Sequence, residues 1–215
     1  MKLPAYFDDV PRLRVRDPLA RLLGCAEDGV FEYGFADAVK LAGHSCATVA
    51  SAYWLTWLAL EHLYPDGLPQ RGGIKVEFRD DARSGSNGVV ATVVQMLTGA
   101  AGGSGFKGLG GRFSRAGLIR SKPDLILALR FTRLDTNAAV DVGVDTSPLA
   151  GQPELDNLLA LVSSGKATPE QEQALGELWQ ERVCSLLLEH GRDRRVFMVR
   201  PVVRRSGDLE APLAA

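Results

Sequence analysis

The sequence predicts a mixed α+β fold in which a mixed β-sheet packs against one long buried helix. The chain has 215 residues, 46% of them apolar and 24% charged, which is typical of a globular protein with one sizeable core. Residues 48–63 are almost wholly apolar and too long for a strand. Alternating segments and segments with helical periodicity follow one another without regular βαβ order, which favours α+β.

The N-terminal part is expected to contain a lead-in and two short helices. The basic residues before Asp17 are interpreted as a solvated edge. Asp17 is expected to cap a helix over residues 19–25, with Pro18 at its first position. A second helix is expected over residues 35–41.

The long helix follows directly. Gly43 ends the preceding helix, because glycine tolerates the left-handed conformation at a helix end. The long helix then begins at or just after Ser45 and ends in the turn-rich stretch 64–69.

The sheet is predicted from apolar segments in the second half of the chain. Residues 73–79 alternate apolar and charged side chains, as in a half-buried strand. Residues 89–97 are apolar enough for either a strand or a buried helix, and the pattern leaves both open. Further strands are expected over residues 124–134, 138–144 and 195–203.

The C-terminal part is expected to be mainly helical. Helices are predicted over residues 153–162 and 169–188, the second with Thr168 as its N-cap and Pro169 at its first position. The polar tail after residue 203 is expected to be loose.

Charge and cysteine usage narrow the functional class. Lys plus Arg number 25 and Asp plus Glu 26, so the near-zero net charge argues against nucleic-acid binding. Cys25, Cys46 and Cys184 have no regular spacing, which predicts a reduced, cytoplasmic chain rather than a disulfide framework. No run is apolar enough for a signal peptide or a membrane span, so no membrane partner is expected.

The candidate site is the pair His44 and Cys46, at the start of the long helix. An imidazole and a thiol two residues apart are donors for a soft or borderline metal such as zinc. The dipole and free N–H groups of a helix N-terminus favour a thiolate there. The alternative is that the cysteine is a small buried side chain and the histidine a hydrogen-bonded turn residue.

Two ligands do not complete a zinc site, which takes four ligands, or three and a water molecule. The remainder must come from elsewhere in the fold or from a partner chain. Other side chains with suitable donors have no diagnostic spacing; they are Cys25, Glu32, Asp37, His62, Asp80 and Asp81.

A glycine-rich loop over residues 99–111 is the second notable segment. Its G-x-G-x-x-G match at 103–108 is followed by more glycine instead of a helix, which argues against a dinucleotide site. Glycine N–H groups together with Lys107, Arg112 and Arg115 are able to hold an anion. The alternative is a folded loop with ordinary surface cations. If the loop closes over the histidine–cysteine pair, Phe113 is a further pocket residue.

Segments between residues 35 and 119 resemble FmdE, a family named after a component of formylmethanofuran dehydrogenase. The resemblance lies in the His-x-Cys start of the long helix, in the strand at 74–78, and in the run 95–99 before the glycine loop. It implies an FmdE-like α+β domain over residues 1–150, a homodimer, and a metal, usually zinc, near the His-x-Cys pair. Residues 151–215 would form a helical extension and a closing strand packed on the same core.

The family pattern His-Gly-His-x-Cys-Pro-Gly is present only in part. Ala42, Ala47 and Thr48 replace its first histidine, its proline and its second glycine, and Ala100 replaces a cysteine that often follows the later glycine. The family's ligands therefore carry over only to the imidazole and the thiol.

These residues are consistent with several functions. The first is an FmdE-like metal-binding protein with an accessory or redox role. The second is a metal-dependent enzyme on a small metabolite, in which Lys107 or Arg112 stabilises negative charge, although no catalytic residue is identified. The third is a non-covalent haem protein that uses the same imidazole and thiolate, in an apolar pocket near Tyr53, Trp54 and Phe106. The last is a purely structural or interaction protein.

Overall fold

The computed structural model of the chain describes residues 2–81, 84–149 and 151–203, and shows a mixed α+β structure. The α-helices are α1 (Pro18–Leu22), α2 (Phe35–Ala42), α3 (Ala47–Leu63), α4 (Asn87–Thr98), α5 (Pro153–Ser163) and α6 (Pro169–Cys184). The strands are β1 (Leu13–Arg16), β2 (Val30–Tyr33), β3 (Ile74–Phe78), β4 (Ile119–Ser121), β5 (Leu129–Arg133), β6 (Ala139–Val144) and β7 (Phe197–Pro201). A 3₁₀ helix spans Ala5–Asp9, and a π-helical segment, Ser185–Glu189, continues α6. The tail predicted to be loose lies outside the described residues.

Five strands form one mixed sheet in the order β4-β3-β5-β6-β7. The pair β3–β4 is parallel, and the other pairs in this sheet are antiparallel. Val76 stands opposite Phe131, which stands opposite Val140, and all three side chains are fully buried. This row lies on the inner face of the sheet, as the alternating sequence of β3 predicts.

Helix α3 is the centre of the core, which confirms the prediction of a long buried helix. It is buried on nearly all sides and packs against both the sheet and α4. The Tyr53 hydroxyl of this helix is hydrogen-bonded in the core, where its single hydrogen is shared between the carbonyl oxygens of Pro11 and Tyr33, at 2.8 and 3.0 Å. A helix that is apolar all round fits an interior position of this kind.

The lead-in before Asp17 contains a strand that was not predicted. β1 pairs antiparallel with β2, with Leu13 opposite Tyr33. Leu13 and Val15 are buried whereas the intervening arginines are exposed, so the basic run is the outer face of a two-stranded sheet. The interpretation as a solvated edge accounted for the arginines and missed the alternation between them.

Helix α1 begins as predicted but is shorter. The Asp17 carboxylate accepts hydrogen bonds from the N–H groups of Leu19 and Ala20, at 3.1 and 3.2 Å, and Pro18 opens the helix. The helix ends at Leu22 rather than at residue 25. Gly24 then takes a positive φ of 69°, which breaks the helical run.

The ambiguous segment 89–97 is helical and belongs to α4, which Gly99 terminates with a φ of 71°. The predicted strand over residues 124–134 begins only at Leu129. The apolar residues before it lie in turns, where the N–H of Leu125 donates to the carbonyl of Lys122 and Ile126 is 76% exposed. The three-residue strand β4 was not predicted.

The C-terminal part adds a strand to the large sheet. Thr168 and Gln171 form a reciprocal capping box at the start of α6, confirming the predicted N-cap. The π-helical segment then leads to β7, which pairs antiparallel with β6, so that Val142 faces Val199. Within the described ranges, no helix combines the length and the apolar character that crossing a membrane requires.

Candidate functional site

His44 and Cys46 lie in the short connection between α2 and α3. Gly43 ends α2 in the left-handed conformation, with a φ of 77°, and its N–H donates to the Val39 carbonyl at 2.8 Å. Cys46 is the N-cap residue of α3, with extended backbone, and its carbonyl accepts the first helical hydrogen bond, from Ala50. The glycine stop and the following N-cap therefore place both side chains at the positive end of α3.

The His44 imidazole is exposed, and the hydrogen bond that it makes determines its tautomer. Nδ1 lies 3.0 Å from the carbonyl oxygen of Ala42. Because a carbonyl oxygen only accepts, Nδ1 carries the hydrogen in the neutral ring, and the lone pair is on Nε2. Histidines that bind metals commonly have this arrangement, with one ring nitrogen donating to a carbonyl and the other free to coordinate.

Cys46 is half-buried, and its side chain packs against the edge of the core. It makes no side-chain hydrogen bond to the first turn of α3, although serine, threonine or aspartate at an N-cap usually does so. The thiol is thus placed at the helix end without serving as its cap.

The segment between the two donors is held by helix α6. The indole Nε1 of Trp179 donates to the carbonyl of Ser45 at 2.9 Å, across 134 positions of sequence. One residue along α6, Gln180 accepts a hydrogen bond of 2.8 Å from the Tyr6 hydroxyl. Burial raises the pKa of Tyr6 to about 12, so this hydroxyl stays protonated and able to donate.

Within the described residues, no third metal ligand joins the pair. Across residues 2–81, 84–149 and 151–203, the structure contains no group of three or more His, Cys, Asp or Glu side chains able to hold a metal ion. The described part of one chain therefore supplies two donors, fewer than a zinc site needs.

Asp37 has a structural role at the other end of α2. Its carboxylate accepts a hydrogen bond of 2.9 Å from the N–H of Gly34 and lies 3.5 Å from the ammonium group of Lys40. The remaining candidate donors are also dispersed. Glu32 pairs with Arg12, and His62 lies sixteen positions beyond Cys46 along α3, about 24 Å at 1.5 Å per residue.

The predicted loop residues form contacts within the glycine loop itself. The Lys107 ammonium donates to the carbonyl of Gly103 at 2.7 Å. The guanidinium of Arg112 stacks 4.6 Å from the ring centroid of Phe113, a residue with a φ of 63°. These contacts do not bring Lys107, Arg112 or Phe113 together with the histidine–cysteine pair.

The residues expected to surround a haem lie in different surroundings. Tyr53 and Trp54 are buried in the core of α3, whereas Phe106 is 44% exposed on the glycine loop. The indole of Trp54 donates to the carbonyl of Leu187 at 2.9 Å, so it is held as a core residue. These three aromatic residues therefore do not form one pocket. Haem binding by His44 and Cys46 stays a prediction.

A second cluster of functional groups, which the sequence did not indicate, lies around Asp17. Asp17, expected only as a helix cap, also accepts hydrogen bonds from Arg71 at 2.8 Å and from Arg115 at 2.7 Å. The sequence signal is weak: Arg115 is one of several cations in or beside the glycine loop, and Arg71 lies between the predicted turn at 64–69 and the predicted strand at 73–79. Only the packing of three distant segments brings the cluster together.

Comparison of the chain with protein-family models finds no match, and comparison with curated proteins finds none either. The FmdE resemblance therefore still rests on the sequence motifs alone.

Proposed function

We propose that this protein binds a soft or borderline transition metal, with zinc as the first candidate, through Cys46 Sγ and His44 Nε2. The observation that carries the proposal is the hydrogen bond between His44 Nδ1 and the Ala42 carbonyl, because it leaves Nε2 as the free donor on an exposed ring. The position of the thiol at the N-terminus of α3 supports the same proposal, since the helix dipole favours a negatively charged ligand there.

Two donors make this an open site. The remaining positions are filled by water or by donors from a second copy of the chain, which is the proposed homodimer. A bound metal would supply Lewis acidity or redox chemistry at this point. The roles of the two residues are to bind the metal and to orient it; an accessory, metal-holding function needs nothing further from the chain.

Titration of the metal-free protein with Co²⁺ tests this function, because thiolate coordination to Co²⁺ gives a charge-transfer band. We expect one band that Cys46→Ala abolishes. His44→Ala should weaken Co²⁺ binding by more than the roughly 10- to 100-fold that outer-shell changes cause, because it removes a direct ligand.

Cys25→Ala is the matched thiol control, since Cys25 is exposed near the end of α1. The charge-transfer band of the Cys25→Ala variant with Co²⁺ should match that of the wild type. A band that disappears in Cys25→Ala and persists in Cys46→Ala would overturn the proposal, as would wild-type protein that binds no Co²⁺. Sedimentation with and without metal separates a second-copy site, with one metal for two chains, from a water-completed site with one metal per chain.

A further inference from the structure

Asp17, Arg71 and Arg115 line a pocket that is separate from the histidine–cysteine pair. The pocket has a volume of about 320 Å³ and lies between α1, the end of α4 and the glycine loop. Its charged side chains are largely enclosed: that of Asp17 is 5% exposed and that of Arg115 is 11% exposed. The charged groups are therefore mostly buried, at the base of a pocket that is open to solvent.

The cluster carries an excess of positive charge. Two guanidinium groups share a single carboxylate, so the charges sum to plus one. Burial acts to raise the pKa of Asp17, but the hydrogen bond and charge of Arg115, together with Arg71, hold it below its ordinary value. The carboxylate is therefore ionised at neutral pH, and the two arginines have one carboxylate between them among the described residues.

Two N–H donors in this cluster have no acceptor within the described part of the chain. Arg71 uses Nη1 for Asp17 and Nη2 for the carbonyl of Met96, at 2.9 Å. The Nε–H groups of Arg71 and Arg115 are buried and have no hydrogen-bond partner among the described residues. A buried donor without an acceptor is costly, so these two groups add to the positive potential of the cluster and favour an anion beside it.

The guanidinium of Arg115 is held in place by backbone that only glycine provides. The N–H of Gly72 donates to the carbonyl of Thr98 at 2.8 Å, which brings Gly72 beside Gly99. A Cβ atom at Gly72 would lie 2.8 Å from Arg115 Nε, and one at Gly99 would collide with Nη1. Both glycines also have positive φ angles, so the close approach is built into the backbone.

The rest of the pocket is mainly apolar. Leu19, Ala101 and Phe106 contribute to its wall, together with the polar side chain of Gln95. An apolar wall with a few convergent polar groups is typical of a small-molecule site, and a volume near 300 Å³ lies at the small end of such sites.

We infer that this pocket binds a small organic anion, a carboxylate or a phosphate monoester that carries an apolar group. The arginines would take the oxyanion, because a guanidinium pairs with carboxylate and phosphate through paired N–H groups. The apolar group would lie against Leu19 and Phe106.

Calorimetric titration with benzoate, phenyl phosphate and benzamide tests this inference. Benzamide matches benzoate in shape but lacks the charge. We expect at least one of the two anions to bind, and benzamide to bind at least about tenfold more weakly, since a hydrogen bond to a charged group is lost. The stronger of the two anions identifies the chemical class.

Three variants separate ligand binding from a purely structural ion cluster. Arg115→Lys should weaken anion binding at least about tenfold, because it removes the planar fork. Asp17→Asn should tighten it, because it removes the competing charge. Leu19→Trp should abolish it by filling the pocket while both arginines remain. Arg112→Lys, on the exposed part of the same loop, is the matched control and should leave binding unchanged.

Folding of each variant is checked by circular dichroism and urea unfolding. If wild-type protein binds neither anion at millimolar concentration, or binds benzamide as well as benzoate, the inference is wrong and the cluster is structural. It is also wrong if folded Leu19→Trp protein binds the anion as the wild type does.

Discussion

Gly43 and Gly99 end helices α2 and α4 in nearly the same left-handed conformation, with φ angles of 77° and 71°. Their surroundings differ. A Cβ atom at Gly43 would meet no atom within 4 Å, whereas one at Gly99 would collide with Arg115. The two positions therefore share the backbone requirement for glycine and differ in the space beside it.

Alanine at each position should separate the two effects. Gly43→Ala should lower the free energy of unfolding by about 1 kcal/mol, the usual cost of a left-handed conformation for a residue with a Cβ. Gly99→Ala should lower it by about 1–3 kcal/mol more, because the methyl group displaces Arg115 from Asp17. Urea unfolding of both variants measures the difference, and equal losses would show that Arg115 moves aside without cost.

At the scale of elements, the π-helical turn after α6 is joined to the core by an indole hydrogen bond. Trp54 Nε1 donates to the carbonyl of Leu187 at 2.9 Å, and this bond is buried. Trp57, one turn further along α3, donates to the carbonyl of Arg12 at 3.3 Å in an exposed position. A π turn frees carbonyl groups from the regular helical pattern, so an outside donor is needed where the turn is buried.

Phenylalanine at each tryptophan compares these two bonds. Trp54→Phe leaves the Leu187 carbonyl buried without its donor, which should lower the free energy of unfolding by about 1–3 kcal/mol. The smaller ring adds a lesser loss from packing. Trp57→Phe should cost less than about 1 kcal/mol, since water replaces the indole. The midpoint of urea unfolding reports both values. A larger loss for Trp57→Phe would contradict this view of the π turn.

The connection between α2 and α3 depends on several elements at once. The chain direction changes at Gly43, α3 begins at Cys46, and Trp179 of α6 holds the Ser45 carbonyl between them. The proposed metal donors therefore lie on a segment whose backbone is fixed from three sides, which is what a site of two ligands requires for a defined geometry.

At the scale of the whole molecule, the Asp17 cluster joins parts of the chain that are far apart. Arg71 and Arg115 lie 54 and 98 positions beyond Asp17. One carboxylate thereby ties the first helix, the turn before the large sheet and the glycine loop together. Because the folded state holds the pKa of Asp17 below its ordinary value, this carboxylate stabilises the fold when ionised.

The sign of the pH dependence follows from that depressed pKa. The stabilisation is fully present above the unfolded-state value of about 3.9, and it is lost as the pH falls below it toward the lower, folded-state pKa. The Asp17→Asn variant lacks this stabilisation. Its free energy of unfolding should therefore fall less steeply than that of the wild type as the pH is lowered through this range. Urea unfolding between pH 6 and the acid limit of reversibility measures the two slopes.

Asp135 provides the control for this prediction. It pairs with Arg133 at 2.6 Å, and its side chain is 61% exposed. The hydrogen bond from Arg133 lowers the pKa of Asp135 too, but solvent and salt screen an exposed pair. Each variant should differ from the wild type in how steeply the free energy of unfolding depends on pH. Added salt should largely remove this difference for Asp135→Asn and leave most of it for Asp17→Asn. Equal salt sensitivity would place Asp17 in contact with solvent.

Local signals accounted for most of the elements and for the location of the metal candidates. The Asp17–Pro18 start of α1, the Thr168 capping box and the Gly43 stop are each decided within a few residues, because capping hydrogen bonds and left-handed turns are short-range. The long apolar run predicted the buried helix for the same reason: it cannot be solvated. The segment 89–97 was ambiguous because a short apolar run suits a buried strand and a buried helix equally well.

Long-range packing decided the rest. No local pattern indicates that Asp17 meets Arg115 across 98 positions, or that Trp179 meets Ser45 across 134. Such pairs form because the apolar faces of α3, α4 and the sheet must be buried together, and this burial brings polar groups of distant segments to the same place. Composition and spacing were therefore sufficient for the class of fold and for the position of His44 and Cys46 at the start of α3. The arginine pocket is a product of the tertiary packing, since its charge and its volume exist only once three segments meet.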